Sequence, residues 1–156
     1  MKLELIAVGT KMPSWVTAAF TDYQKRFPPE MKLELREIPP VRRQGKGSEE
    51  KAKEDEAKLI LQALPKKCYV VALDERGKQY SSYELSQKVG TWQSLGSDVV
   101  LLVGGPNGFT DEIRQRADEL WSLSMLTLPH PMVRIFLAET LYRAWSIYAN
   151  LPYHRA

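Results

Sequence analysis

Cysteine and histidine are both scarce in this sequence: one Cys (Cys68) and two His among 156 residues. A lone cysteine cannot close an internal disulfide. It sits in the apolar run Cys68-Tyr69-Val70-Val71-Ala72-Leu73, where a buried thiol is expected. No pair or cluster of Cys and His has zinc spacing, so no structural metal is expected. Long apolar runs are missing as well. The opening Met1-Lys2-Leu3-Glu4-Leu5-Ile6-Ala7-Val8 is too short, and too interrupted by Glu4, for a signal peptide. Nothing approaches the roughly 20 apolar residues of a membrane span, so the chain is expected in the cytoplasm with no membrane partner. Neither GxGxxG nor a Walker A loop with its Lys-Ser/Thr pair occurs, which disfavours phosphate cradling and a nucleotide-binding regulator.

An excess of one charge is also lacking. The formal net charge is +3, a surplus too small to imply nucleic-acid binding by itself. Its distribution is more informative. Arg36, Arg42, Arg43, Lys46, Lys51 and Lys53 fall close together, followed by Lys66 and Lys67 and by a basic end with His154 and Arg155. A solvated surface and a phosphate-binding face fit these charges equally well, since counterion release needs several such groups on one face.

What is present reads as one globular domain over residues 1–156. The chain is 44% hydrophobic and 26% charged, and splitting it would leave two pieces too small for good cores. Residues 2–9 form a first strand ending at Gly9, and Pro13–Phe27 a helix stopped by Pro28-Pro29. Leu33–Ile38 alternates as a second strand, the glycine-containing Val41–Ser48 reads as a mobile loop, and a charged helix opens at Ser48 and ends near Leu64. Cys68–Leu73 is a third strand closed by a turn through Gly77, followed by a helix over Ser81–Leu95 capped by Ser81 or Ser82. Asp98–Val103 is apolar throughout, as suits the centre of a parallel sheet covered on both faces. A short helix from Asp111 to about Ala117, an edge-like run Leu120–Leu126 and a terminal helix from about Met132 to Asn150 complete the chain. Strands alternating with helices predict an α/β fold with a mainly parallel sheet and helices on both faces.

In such sheets ligands bind outside the carboxyl ends of the strands. Three segments end there: Leu73-Asp74-Glu75, Gly104-Gly105-Pro106-Asn107-Gly108 and Ser124-Met125-Leu126-Thr127-Leu128-Pro129-His130-Pro131. The glycine loop is either a tight structural turn or a place where backbone groups approach a ligand without an intervening Cβ. The apolar, aperiodic run before Pro129 is either a buried connector or a wall whose free backbone groups suit an adenine ring. On the terminal helix, Glu139, Arg143, Ser146 and Asn150 form one narrow polar stripe, and apolar residues cover most of the rest. More than one neighbour must bury such a helix, and in a protein this small the second is another subunit. Arg134, roughly opposite that stripe, needs a partner: ligand, substrate, the other subunit, or a carboxylate of its own chain. The tail Tyr153-His154-Arg155 is either a frayed end or a ring for stacking, an imidazole to move a proton and a guanidinium for phosphate.

The motifs LLVGGPNG, SLSMLTLPHPMVR, AETLYRAWSI and PYHR, with the opening LIAVGTKMPSWV and the LDERGK turn, together resemble the ribosomal RNA large subunit methyltransferase H family of the SPOUT superfamily. The resemblance covers essentially the whole chain. It implies a homodimer whose C-terminal segment forms a deep trefoil knot. It also implies S-adenosyl-L-methionine held by Leu73, Gly105, Ser124, Met125, Leu126, Thr127, Leu128 and Pro129. The implied reaction is methylation of N3 of a pseudouridine in large-subunit (23S) ribosomal RNA on the assembled ribosome, with no metal, and the tail Tyr153, His154 and Arg155 matches the family's terminal Tyr-His-Arg. With Arg134 these are the candidate catalytic residues: His154 to accept or relay the N3 proton, Arg155 and Arg134 to stabilise charge on the base oxygens or clamp phosphate, and Tyr153 to stack. The competing readings are a methyltransferase for another RNA and a non-enzymatic ribosome-binding factor.

Overall fold

The computed structural model describes residues 1–41, 48–106 and 108–154. Five strands, β1 (Lys2–Val8), β2 (Lys32–Ile38), β3 (Cys68–Lys78), β4 (Asp98–Val103) and β5 (Glu119–Trp121), form one sheet in the order β2-β1-β4-β3-β5. Every pairing is parallel. The helices are α1 (Ser14–Gln24), α2 (Ser48–Ala63), α3 (Ser82–Leu95), α4 (Asp111–Arg116) and α5 (His130–Tyr148), with a 3-10 turn at Pro29–Met31.

The pleat explains the layering. Alternate residues of the central strands point to opposite faces, and both faces are buried. Leu3, Leu5, Ala7, Val71, Val99, Leu101 and Val103 pack with Phe20 of α1, Leu85, Val89 and Trp92 of α3, and Leu137, Leu141 and Ala144 of α5. Ile6, Val8, Val70, Ala72, Val100 and Leu102 meet Ala57 and Ile60 of α2 and Ile113 of α4 on the other face. The predicted α/β architecture, with a parallel sheet covered on both sides, is the observed one.

Helix ends follow local chemistry. Ser81, not Ser82, caps α3 in a full capping box: its hydroxyl accepts from Glu84 N (3.1 Å), and Glu84 Oε1 accepts from Ser81 N (2.8 Å). Helix α5 starts two residues earlier than expected, with Pro131 in its first turn, where a missing N–H costs nothing. It stops where Asn150 turns left-handed (φ 58°) and Leu151 N reaches back to Ser146 O at 2.8 Å.

Two strand boundaries correct the sequence reading. β3 does not end at Leu73: both Leu73 and Lys78 face Trp121, so residues 74–77 leave the ladder and the strand then rejoins it. Asp74 Oδ1 holds that excursion by accepting from Arg76 N at 2.8 Å. β5 is shorter than the expected Leu120–Leu126, because serine side chains take over the backbone partners after Trp121. Ser122 Oγ donates to Ser124 O at 3.1 Å and Ser124 Oγ accepts from Leu126 N at 3.0 Å. The loop expected over Val41–Ser48 lies, from 42 to 47, outside the described residues, as do Arg42, Arg43, Lys46 and Asn107.

Candidate active site

The three predicted segments meet. At the carboxyl ends of β3 and β4 lie two adjoining cavities of about 500 and 550 Å³. The first is walled by Leu73-Asp74-Glu75, Gln79 and the continuous run Trp121–Leu128. The second is walled by Leu73–Arg76, Val103–Pro106, Gly108, Phe109, Lys53, Arg114 and His130. Leu73, Asp74, Glu75, Leu128 and Val133 border both, so they are two lobes of one crevice. Of the candidate ligand-holding residues, Leu73, Ser124, Met125, Leu126, Thr127 and Leu128 line the first lobe, Gly105 lines the second, and Pro129 caps α5 beside them. Met125 (93% exposed) and Leu126 (75%) stand uncovered at the rim.

Of the two reasons open for the loop glycines, the contacts of an added Cβ fit the structural turn. A Cβ on Gly105 would point inward, 3.0 Å from Glu56 Oε1 and 3.2 Å from Val8 Cγ1, and one on Gly104 would lie 3.1 Å from the Phe109 ring. The missing side chains let the loop lie flat on the sheet end, which leaves its outer backbone surface to the crevice.

Charge on the walls is organised. Asp74 bonds Arg114 Nε at 2.8 Å, and Arg114 also reaches Asp111 at 3.0 Å. Burial alone would raise the Asp74 pKa, but the hydrogen bonds from Arg114 and the Arg76 backbone outweigh it and hold the carboxyl below its usual range. His130 is pushed below 6.5 mainly by burial, opposed by a backbone hydrogen bond to Val8 and helped by the nearby Arg134 charge. Its Nε2 is buried without a hydrogen-bond partner among the described residues.

The other candidates lie elsewhere. Arg134 is buried (2% exposed) and donates to Glu37 Oε2 at 2.7 Å and Gly9 O at 3.4 Å, so of its possible partners the chain itself provides a carboxylate. Tyr153 donates to Glu139 Oε1 at 3.1 Å beneath the Arg143 guanidinium, and burial with the Glu139 charge pushes its pKa up to about 12. His154 packs edge-on against Tyr83 (5.2 Å), with both ring nitrogens buried and without a hydrogen-bond partner among the described residues. Neither tail residue borders the crevice, and Arg155 lies outside the described residues. Phe136 and Tyr148 on α5 stay 42% and 46% exposed. Sequence reasoning missed Lys53, Arg76 and Arg114 as crevice residues; for Arg76 the available signal was its place in the LDERGK turn.

A parallel sheet with a crevice across its carboxyl edge is the arrangement in which open α/β proteins hold small ligands. The chain belongs to the SPOUT methyltransferase family, whose model, described as a predicted SPOUT methyltransferase, matches residues 1–154. It is 52% identical over 155 residues to a ribosomal RNA large subunit methyltransferase H from Thioalkalivibrio sulfidiphilus, covering 99% of each chain. It is 51% identical over 156 residues to the protein of that name from Burkholderia ambifaria, covering 100% of both. Its fold also matches a probable methylase family protein from Haemophilus influenzae Rd KW20 (TM-score 0.58, 12% identity, 99% of this chain and 70% of that one). Among the described residues no helix is long and apolar enough to cross a membrane.

Proposed function

We propose that this chain is a cytoplasmic, S-adenosyl-L-methionine-dependent methyltransferase acting on N3 of a pseudouridine in large-subunit ribosomal RNA of the assembled ribosome. The observation that carries the reading is the convergence of Leu73–Glu75, Gly104–Gly105 and Ser124–Leu128 on one crevice, in a chain half-identical from end to end to relatives named as large-subunit ribosomal RNA methyltransferases. The crevice suits the donor: apolar walls fit an aromatic ring, and the Asp74 and Glu75 carboxylates fit a cation. Leu73, Gly105 and Ser124 to Pro129 hold it. When bound, the donor supplies a methyl group already activated by the sulfonium charge.

The chain's own residues then position and deprotonate. His154 accepts or relays the N3 proton, Arg155 stabilises charge on the base oxygens, and Tyr153 stacks on the base or bonds it. Arg134, tied to Glu37 and the Gly9 carbonyl, acts as a positioning residue at the start of α5. Tyr153 and His154 lie away from the crevice of their own chain, and Phe136 and Tyr148 leave apolar surface on α5. Both features favour a homodimer in which one copy's tail completes the other's crevice, with the C-terminal segment of each copy threaded as a trefoil knot.

The decisive experiment incubates the protein with labelled S-adenosyl-L-methionine and either whole ribosomes or free ribosomal RNA, then maps the label. Label on N3 of a large-subunit pseudouridine, from ribosomes, supports the reading; label on another RNA redirects it, and no transfer to any RNA refutes it. His154→Ala should abolish turnover while donor affinity stays intact. Mixing a tail-deleted chain with a crevice variant should restore part of the activity, and no rescue would argue against sharing.

A further inference from the structure

The polar stripe of α5, formed by Glu139, Arg143, Ser146 and Asn150, borders neither lobe of the crevice. It is not a solvated face either, because the Glu139 and Arg143 side chains are only 22% and 31% exposed. All four residues serve the tail instead. Asn150 reverses the chain in its left-handed turn, and Leu151 N then donates to Ser146 O at 2.8 Å. Ser146 is buried, its hydroxyl donating to Arg143 O at 2.7 Å. Glu139 Oε1 accepts from Arg143 Nε at 2.8 Å and from the Tyr153 hydroxyl at 3.1 Å. The Arg143 guanidinium lies 5.0 Å from the centre of the Tyr153 ring, and Tyr142 meets that ring edge-on at 4.8 Å. Tyr153 thus returns to a residue 14 positions upstream, and His154 follows onto Tyr83 of α3. A chain end stays ordered only where contacts offset the entropy it gives up. Hydrogen bonds to a carboxylate and a cation over an aromatic face are strong contacts of that kind.

We propose that this stripe is the seat of the tail, and that Glu139, held by Arg143, is a positioning residue for the methyl transfer. It fixes the Tyr153 phenol and, one residue on, the His154 imidazole; this rests on the functional reading above, which gives those two rings the acceptor base. Placement matters steeply to rate, since a shift of about 1 Å can cost about a hundredfold. Burial and the Glu139 charge also push the Tyr153 pKa up to about 12, so the ring meets the base uncharged. His154 is held through its ring contact with Tyr83, and its nitrogens have no partner among the described residues. The seat therefore orients the imidazole and leaves its proton chemistry uncommitted.

The test uses the full chain with Glu139→Ala, the milder Glu139→Gln, Tyr153→Phe, and Glu139→Ala combined with Tyr153→Phe. Three quantities are read: hydrogen exchange of the C-terminal peptide by mass spectrometry, methyl transfer to whole ribosomes, and affinity for S-adenosyl-L-methionine by calorimetry. Glu139→Ala should speed exchange of the tail and lower turnover about a hundredfold, with donor affinity unchanged. Glu139→Gln, which keeps an acceptor for Tyr153 but no charge for Arg143, should fall between it and the parent. In the Tyr153→Phe background Glu139→Ala should cost little more, because both changes break one linkage. Parental exchange of the tail in Glu139→Ala overturns the proposal. So does parental turnover with a loosened tail, donor affinity falling in step with turnover, or a double variant whose loss is the product of the two single losses. If the parent transfers no methyl group, the functional reading fails, and the exchange result alone decides whether the stripe seats the tail.

Discussion

Replacing Gly77 by alanine adds one methyl group at the most crowded of the described glycines. The added Cβ would sit 2.4 Å from the Trp121 carbonyl carbon, 2.5 Å from Trp121 N and 2.6 Å from the Leu120 carbonyl carbon. Comfortable carbon contacts lie at about 3.5–4.0 Å, so the two backbones must part by about 1 Å, and no side chain can rotate away to relieve them. β5 is anchored at its start, where Asp118 N bonds Val70 O (2.7 Å) and Asp118 Oδ2 accepts from Val70 N (2.8 Å). The displacement therefore falls at Trp121, where Ser122 N bonds Lys78 O at 3.0 Å and the crevice wall begins. Overpacking of this kind should cost about 3 kcal/mol in a denaturant titration. Because the moved segment opens the wall proposed to hold the donor, donor affinity measured by calorimetry should fall about tenfold or more, equivalent to about 1.4 kcal/mol. Gly96 provides the control: it is left-handed (φ +69°) with nothing within 4 Å of an added Cβ. Gly96→Ala should cost about 1 kcal/mol from backbone strain alone and leave donor affinity unchanged. Parental stability and binding in Gly77→Ala would refute the claim that the β3–β5 contact sets the crevice wall.

The remaining predictions concern buried polar groups. Glu37→Leu should destabilise by about 3 kcal/mol because it strands the buried Arg134 charge, whereas Arg134→Met, which leaves only the partly exposed Glu37, should cost less; denaturation of both measures the asymmetry. Glu119 accepts from Tyr69 (2.5 Å), Tyr80 (3.1 Å), Lys88 (2.7 Å) and Trp121 Nε1 (3.2 Å), and these bonds outweigh burial to hold its pKa below the usual range. Glu119→Ala leaves those donors without their acceptor and should lower stability by about 3 kcal/mol, visible as a fall in Tm. His130, depressed below 6.5 in the fold, binds its proton more readily when unfolded. Its contribution to stability is full above about pH 6.5 and is lost as pH falls from there toward the folded pKa. Stability curves of the parent and His130→Gln should therefore converge on acidification, and parallel curves would contradict the burial argument.

Much of this was readable from residue order. β4 announces its central place because Asp98–Val103 has no polar side to turn outward, and it does lie between β1 and β3. The helix over 82–95 was marked by its serine, and the candidate ligand segments by their place after apolar strands. What escaped was set by contacts between distant residues. The reading of Gly77 as a turn glycine missed its main cause, the backbone of Trp121 over forty positions on. Arg134 finds Glu37 at a separation of 97 residues, which no local pattern encodes. The Glu119 network joins β5 to residues of β3 and α3, and only an acidic residue opening an apolar run hinted at it. The tail was legible as chemistry but not as position: Tyr153, His154 and Arg155 advertise base, proton and phosphate, yet the packing of Tyr153 on Glu139 and of His154 on Tyr83 depends on how α5 meets α3.

The crevice itself arises from interruptions of regular structure along one sheet edge. Asp74 captures the Arg76 amide and takes residues 74–77 out of the β3 ladder. Ser122 and Ser124 supply side-chain partners that end β5 after three residues. Gly104 and Gly105 tuck against Phe109, Val8 and Glu56, so the chain leaves β4 without filling the space above it. Each device would be a defect in a continuous sheet, because it removes ladder hydrogen bonds. Placed together at adjacent carboxyl ends, they open a shared space between hydrophobic walls, which is what a ligand with both flat and polar surfaces needs. The fixed apolar core beneath, packed on both faces of the sheet, is what allows three such interruptions side by side without loss of the fold.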